Sequence, residues 1–197
     1  MKGRDSLWRM IAVLGLTALL SGALLGFFHD LTAGPIAKAS ARQLSESLAE
    51  LMPPFSNDPL ADAKRIAVDG DSLTLYPCSG QGSLVGAAVE SVSHNGFGGD
   101  IRLLVCFSAD GSVTGFRVMS HAETPGLGAK MDDWFGGDPR RTAIVGRHEE
   151  PVKVKADGGN VDAITGATIT SRAFLEAVNR ASEAFNTYYN EQAEDRH

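Results

Sequence analysis

Two cysteines in 197 residues, Cys78 and Cys106, leave this chain without a Cys-x-x-Cys pair or a Cys/His spacing that holds zinc or an iron–sulfur cluster, so no metal site can be read from it. In an oxidising compartment the two thiols could pair. Cys106, however, lies in the strand-like run 101–107, where a buried thiol behaves as a small hydrophobe, and the pairing stays open. Aromatic residues make up only 7% of the chain, which offers no stacking platform. The 18 basic residues are outnumbered by 24 acidic ones and are scattered rather than striped, which argues against nucleic acid as a partner. No Gly-x-Gly-x-x-Gly opens a helix, and there is no Gly-x-Ser-x-Gly or Ser-His-Asp arrangement, so dinucleotide and hydrolase signatures are missing. Internal repeats and low-complexity tracts are absent too.

Long hydrophobic runs are equally scarce. The one present, residues 10–28, has no charge, and as a helix at ~1.5 Å per residue it spans about 28 Å, a match to a ~30 Å hydrocarbon core. Lys2, Arg4 and Arg9 precede it, whereas His29 and Asp30 follow and the next basic residue is Lys38. The positive-inside rule then places the N-terminus in the cytoplasm and everything after Phe28 outside. A cleaved signal peptide is the competing reading. Its apolar region normally runs ~7–15 residues with a small-residue site close behind, and the nearest Ala-x-Ala here, Ala37-Lys38-Ala39, lies well downstream, which favours a retained single-pass anchor in lipid. Gly22 and Gly26 form a small-xxx-small step on which another membrane helix can approach, set against the general abundance of glycine in such helices.

What the chain does have is concentrated in Asp162-Ala163-Ile164-Thr165-Gly166-Ala167-Thr168-Ile169-Thr170-Ser171. From Arg172 onward, Phe174, Leu175, Val178, Ala181, Phe185 and Tyr188 recur at three- and four-residue steps, which predicts an amphipathic helix with Thr170 or Ser171 as its cap. The first-turn amides of such a helix lack internal partners and carry the positive end of its dipole, so an anion beside Thr168 gains hydrogen bonds and about 0.3–1 kcal/mol. Residue types suggest roles: Asp162 fixes the turn or helps bind the metal of a separate transferase, Thr165 shares the phosphate, Gly166 allows close approach and Ala167 leaves room. A capped turn needs less than this. The wording of the motif resembles the flavinylation signature of the FMN-binding domain in the G subunit of the Rnf electron-transport complex, shared with the C subunit of the sodium-pumping NADH:quinone reductase. The resemblance implies that the last threonine of the Thr-Gly-Ala-Thr core, here Thr168, is esterified to the phosphate of FMN by a separate flavin transferase.

A second segment, Ser120-His121-Ala122-Glu123-Thr124-Pro125-Gly126-Leu127-Gly128-Ala129-Lys130, is similar to the same family's His-x-Glu-Thr-Pro-Gly-Leu-Gly stretch. Thr-Pro-Gly reads as a turn, with proline presetting φ and Gly126 permitting φ above zero. Gly126 and Gly128 flank Leu127, so a flat ring can lie on backbone and one aliphatic side chain while Glu123, Thr124 and Lys130 supply polar groups at its edge. In the family a glycine turn like Asn95-Gly96-Phe97-Gly98-Gly99 lies near the flavin, which makes Phe97 a candidate contact.

Between anchor and motif, Pro35 near a first turn, apolar Ile36, Leu44, Leu48 and Leu51, and the stop at Pro53-Pro54 predict a stalk helix over 35–52. Strand patterns occupy 65–68, 73–76, 84–92, 101–107 and 113–119, with Ala109-Asp110-Gly111-Ser112 as a hairpin connection; a short helix fits 130–135 and a last strand fits 152–154. The expected organisation is a cytoplasmic N-terminus (1–9), a transmembrane helix (10–28), a stalk (29–54) and one periplasmic FMN-binding domain (55–197). The fold class is α+β with a mainly antiparallel sheet and packed helices. The resemblance implies an electron-relay flavoprotein subunit of a membrane complex that couples electron flow between ferredoxin and NAD to ion transport, with nicotinamide and ferredoxin sites on other subunits. Three alternatives remain: the quinone reductase C subunit, expected to be longer; a regulatory membrane flavoprotein, expected to carry further helices or cluster cysteines; and a non-redox anchor or assembly subunit with Thr168 unmodified.

Overall fold

The alternating segments in the middle of the chain and the apolar stripe at its end bury one another. The computed structural model describes residues 2–137, 142, 144–147 and 151–194, so positions 1 and 195–197 of the expected domain bounds lie outside the described residues. Five strands, β1 (Lys64–Val68), β2 (Asp71–Gly80), β3 (Ser83–Ser93), β4 (Ile101–Ser108) and β5 (Val113–Ser120), form one antiparallel sheet in the order β1-β2-β3-β4-β5. Each connection is a local hairpin. In the β4–β5 turn, Asp110 accepts from the Ser112 amide and from the Ser108 hydroxyl.

One face of the sheet packs on a long C-terminal helix, Thr168–Glu194, of 27 residues. It is α3, after α1 (Lys2–Leu51) and the short α2 (Met131–Phe135). Leu73, Leu75, Ala87, Val89, Leu103, Val105 and Phe107 point to this side and meet Phe174, Leu175, Val178, Ala181 and Phe185. Phe107 stacks on Phe185 at 5.0 Å between ring centroids, and Phe174 is held between Phe135 at 4.2 Å and the edge-on Phe116 at 5.2 Å. Because strand side chains alternate, the opposite face carries Tyr76, Cys78, Leu104 and Cys106. There the sheet is cut back by glycine: a Cβ on Gly115 would meet Leu51 Cδ2 at 2.8 Å and one on Gly86 would meet Met52 Cε at 2.8 Å. Glu50 pairs with Arg117 of β5 at 2.5 Å beside them.

The chain divides into two compact units, Met1–Glu46 and Ser47–His197. The first is helical throughout its described residues: α1 is one helix of 50 residues, where the sequence predicts two. Pro35 lies inside it. A proline removes one helical hydrogen bond and strains the preceding turn, but it does not force an end when the flanking residues stay helical. In the turn before it the Thr32 hydroxyl donates to Phe28 O at 2.8 Å. Leu14, Leu19, Leu20, Leu25 and Phe27 are all exposed along this unit.

Two further departures from the sequence-based expectation concern local structure, and the cysteine pairing that the sequence leaves open is a third local point. Residues 152–154 do not extend the sheet; a single parallel bridge joins Val154 to Val161, because the turn at Gly158 and Gly159 doubles the chain back too tightly for a ladder. Val152 is instead held by the Asn179 side chain, which accepts from its amide at 2.7 Å and donates to its carbonyl at 2.9 Å. α3 starts at Thr168 rather than Arg172. Finally, Cys78 and Cys106 are both free and buried. They belong to β2 and β4 with β3 between them, a separation of about 9–10 Å at ~4.8 Å per strand step, beyond the ~7 Å that a disulfide spans. Burial pushes their thiols up, to about 11 and about 12, so neither supplies a thiolate near neutral pH.

Candidate functional site

Gly166 adopts φ +78° and closes a turn in which the Ala167 amide donates to Ile164 O at 2.9 Å. The helix therefore begins at once, and Thr168 becomes its first residue. Neither expected cap acts as one. Ser171 is fully buried; its hydroxyl accepts from the Ile164 amide and donates to Ala167 O, both at 2.9 Å, which ties the first turn to the loop before it. The Thr170 hydroxyl reaches away to Glu123 Oε2 at 2.5 Å.

That bond joins the two segments singled out in the sequence. Glu123 is 5% exposed, and its Oε1 accepts from the Gly98 amide at 3.0 Å, so one carboxylate gathers the glycine turn, the Pro-Gly loop and the start of α3. Close packing depends on missing side chains. A Cβ on Gly128 would lie 2.6 Å from Thr170 Oγ1, and one on Gly98 would lie 2.0 Å from Ala122 O. Gly126, at φ +79°, makes the bend that presents Leu127.

Between these three segments lies a cavity of about 340 Å³, lined by Phe97, Glu123, Thr124, Leu127, Gly128, Gly166, Ala167, Thr168, Ile169 and Thr170. Its size falls within the ~300–1,000 Å³ of small-molecule sites. Phe97, Leu127 and Ile169 are 69%, 44% and 49% exposed, so large apolar side chains stand open to solvent around it. Exposed apolar groups clustered at a concave site mark a binding surface. Thr168 is half-buried on the wall, and among the described residues its hydroxyl has no hydrogen-bond partner. A hydroxyl free to react, helix amides free to receive an anion, and apolar walls without bulk at Gly128 and Gly166 fit a phosphate-bearing, flat aromatic group such as FMN.

Four expected site residues lie elsewhere. Lys130 is exposed at the end of the short 3₁₀ turn Gly128–Lys130, and Gly126 shapes the loop without lining the cavity. Asp162 and Thr165 line a separate cavity of about 530 Å³ with Asp133 and Trp134, because the turn at Gly166 reverses the chain between Thr165 and Thr168. Asp162 there pairs with Lys155 Nζ at 2.7 Å, and its carbonyl accepts from the Trp134 indole at 2.9 Å. Ile169, an unassigned position inside the motif, also lines the cavity. Its signal is a large apolar residue near the opposite side of α3 from the Phe174–Phe185 stripe, where burial in the core cannot account for it.

A family model of the FMN-binding domain matches residues 96–183, which run from the glycine turn through most of α3 and contain the whole cavity lining. Among curated proteins, the G subunit of the ion-translocating oxidoreductase complex of Cereibacter sphaeroides (strain ATCC 17029 / ATH 2.4.9) is 38% identical over 89% of this chain and 83% of its own length. Proteins of the same name from Shewanella loihica and from Vibrio cholerae serotype O1 are 35% and 34% identical, covering 93% and 89% of this chain and 91% and 88% of theirs. With likeness at this level along nearly the full length of both chains, and with the FMN-binding match falling on the residues that build the cavity, the chain belongs to the family of ion-translocating oxidoreductase complex G subunits.

Proposed function

We propose that this chain is the electron-relay flavoprotein subunit of a membrane-bound, Rnf-type ion-translocating oxidoreductase complex, with FMN held through a phosphoester on Thr168. The observation that carries the reading is the unpartnered Thr168 hydroxyl at the start of α3, on the wall of an apolar-rimmed cavity that falls within the FMN-binding match. The bound flavin would supply one- and two-electron chemistry. The chain's own residues then have distinct tasks. Thr168 fixes the phosphate, and the first-turn amides of α3 receive its charge. Phe97, Leu127 and Ile169 would offer apolar surface to the ring system, and the bonds of Glu123 to Gly98 and Thr170 hold these walls in register. A threonine hydroxyl is a weak nucleophile without an adjacent base, and none is bonded to Thr168 among the described residues, so activation falls to the external flavin transferase. The apolar part of α1 anchors the chain in lipid with the N-terminus cytoplasmic, and the domain faces the periplasm among the other members of the complex.

The test is Thr168→Val, co-expressed with a flavin transferase. The variant is expected to lose all in-gel flavin fluorescence and the corresponding mass increment, while its thermal unfolding stays within a few degrees of wild type, since Thr168 makes no hydrogen bond that the change removes. Covalent flavin persisting in Thr168→Val rejects the attachment site.

A further inference from the structure

Glu123 is the one ionisable side chain on the cavity wall among the described residues. Both of its oxygens accept hydrogen bonds, from the Gly98 amide at 3.0 Å and the Thr170 hydroxyl at 2.5 Å, and an ionised carboxylate, which can only accept, is served by such donors. No ion pair of Glu123 with Lys, Arg or His forms among the described residues. Two glycines crowd the group: a Cβ on Gly128 would come within 2.7 Å of Oε2 and one on Gly96 within 2.8 Å of Oε1. The chain thus closes around a buried carboxylate whose partners are the Gly98 amide and a side-chain hydroxyl in the first turn of α3. Lys130, the cation of the same loop, is exposed and off the wall.

Any group filling a cavity of about 340 Å³ lies within several ångströms of every wall. At such range, in a partly desolvated site, a carboxylate raises the energy of added negative charge. Reduction of a flavin takes electrons from a redox partner and protons from solvent, and to the extent that electrons outnumber protons the product is more anionic than the reactant. We propose that Glu123, besides positioning the glycine turn and Thr170, acts through its charge to hold the midpoint potential of the bound flavin down. The inference rests on the FMN reading of this cavity and names the residue that sets its redox poise.

The experiment is a spectroelectrochemical titration of the flavinylated full chain, with dithionite as reductant, comparing wild type, Glu123→Gln and Thr170→Val. Glutamine keeps the shape and an acceptor for Gly98 but removes the charge; valine removes the Thr170 bond and keeps the charge. The expected result is an upward shift of the midpoint in Glu123→Gln and no rise in Thr170→Val, with similar melting temperatures. An unmoved or lowered midpoint in Glu123→Gln, an equal rise in Thr170→Val, or a Glu123→Gln chain that folds but takes no flavin would assign the carboxylate a purely structural role and overturn the inference. Wild-type protein that carries no flavin would overturn the reading of the cavity itself, and this inference with it.

Discussion

At the level of single residues, the sequence motifs pick out both open and buried walls of the candidate cavity, among them Leu127 and Thr168 as well as Glu123 and Gly128. Thr168, Leu127 and Phe97 contribute little to the core, and their exposure around one cavity is what the sequence motifs foretold. Thr165 and Asp162 were less readable, since motif spacing does not reveal that Gly166 turns them toward a different cavity. Gly128 offers a sharp test of the packing: Gly128→Ala places a methyl 2.6 Å from Thr170 Oγ1 and 2.7 Å from Glu123 Oε2, so the bond between them must open. The expected outcome is a loss of about 1–3 kcal/mol in urea unfolding, the usual cost of overpacking, together with slower flavin attachment. His94 makes a pH test. Its Nδ1 lies 2.8 Å from Asp100 Oδ1 and its Nε2 3.4 Å from Asp71 Oδ2, while Arg180 holds Asp71 at 2.6 Å. The hydrogen bond and charge of Asp100, ahead of those of Asp71, raise the imidazole above its ordinary 6.5. A raised folded value means that stability from this cluster is complete below the ordinary histidine range and is lost as pH rises through the folded value. His94→Asn should therefore melt below wild type in acid, with the gap closing as pH is raised through neutrality into the alkaline range, as thermal scans at several pH values would show.

At the level of elements, the sheet follows from alternation so directly that the five strands sit within a few residues of their expected places. Both faces are buried over β3 and β4, yet Gly86, Ala87 and Ala88 keep the side chains small and the turns on either side mark the ends. What failed were features that depend on contacts between distant residues. The start of α3 moved four residues upstream because Thr170 bonds Glu123 and Ser171 bonds Ile164, neither of which is a sequence neighbour that capping rules consider. The predicted strand at 152–154 is paired by an asparagine side chain, which no periodicity encodes. The element that matters most for stability is α3, and its centre is Phe174, fully buried between Phe135 and Phe116. Phe174→Ala is expected to cost about 3–5 kcal/mol, as the loss of a buried aromatic ring usually does, read from the midpoint shift in urea unfolding.

At the level of the whole molecule, the charge bias around residues 10–28 gives a topology that a fusion can check. Alkaline phosphatase attached after His197 should be active in intact cells, and a reporter that works only in the cytoplasm should be silent there; the opposite pair of results reverses the orientation. On the proposed retention of the apolar run, the same cells should yield the protein in the membrane fraction. The cavity has one more consequence. Its walls come from residue 97, from 123–128 and from 166–170, stretches brought together only when the five-stranded sheet and α3 have assembled. On the proposed attachment to Thr168, a nascent or misfolded chain would carry the acceptor threonine but not the pocket around it, and attachment of the coloured group would act as a proofreading step in biogenesis. A synthetic peptide covering 160–175 should accept flavin far more slowly than the folded chain, and destabilised variants such as Phe174→Ala should accumulate as colourless protein before they disappear altogether.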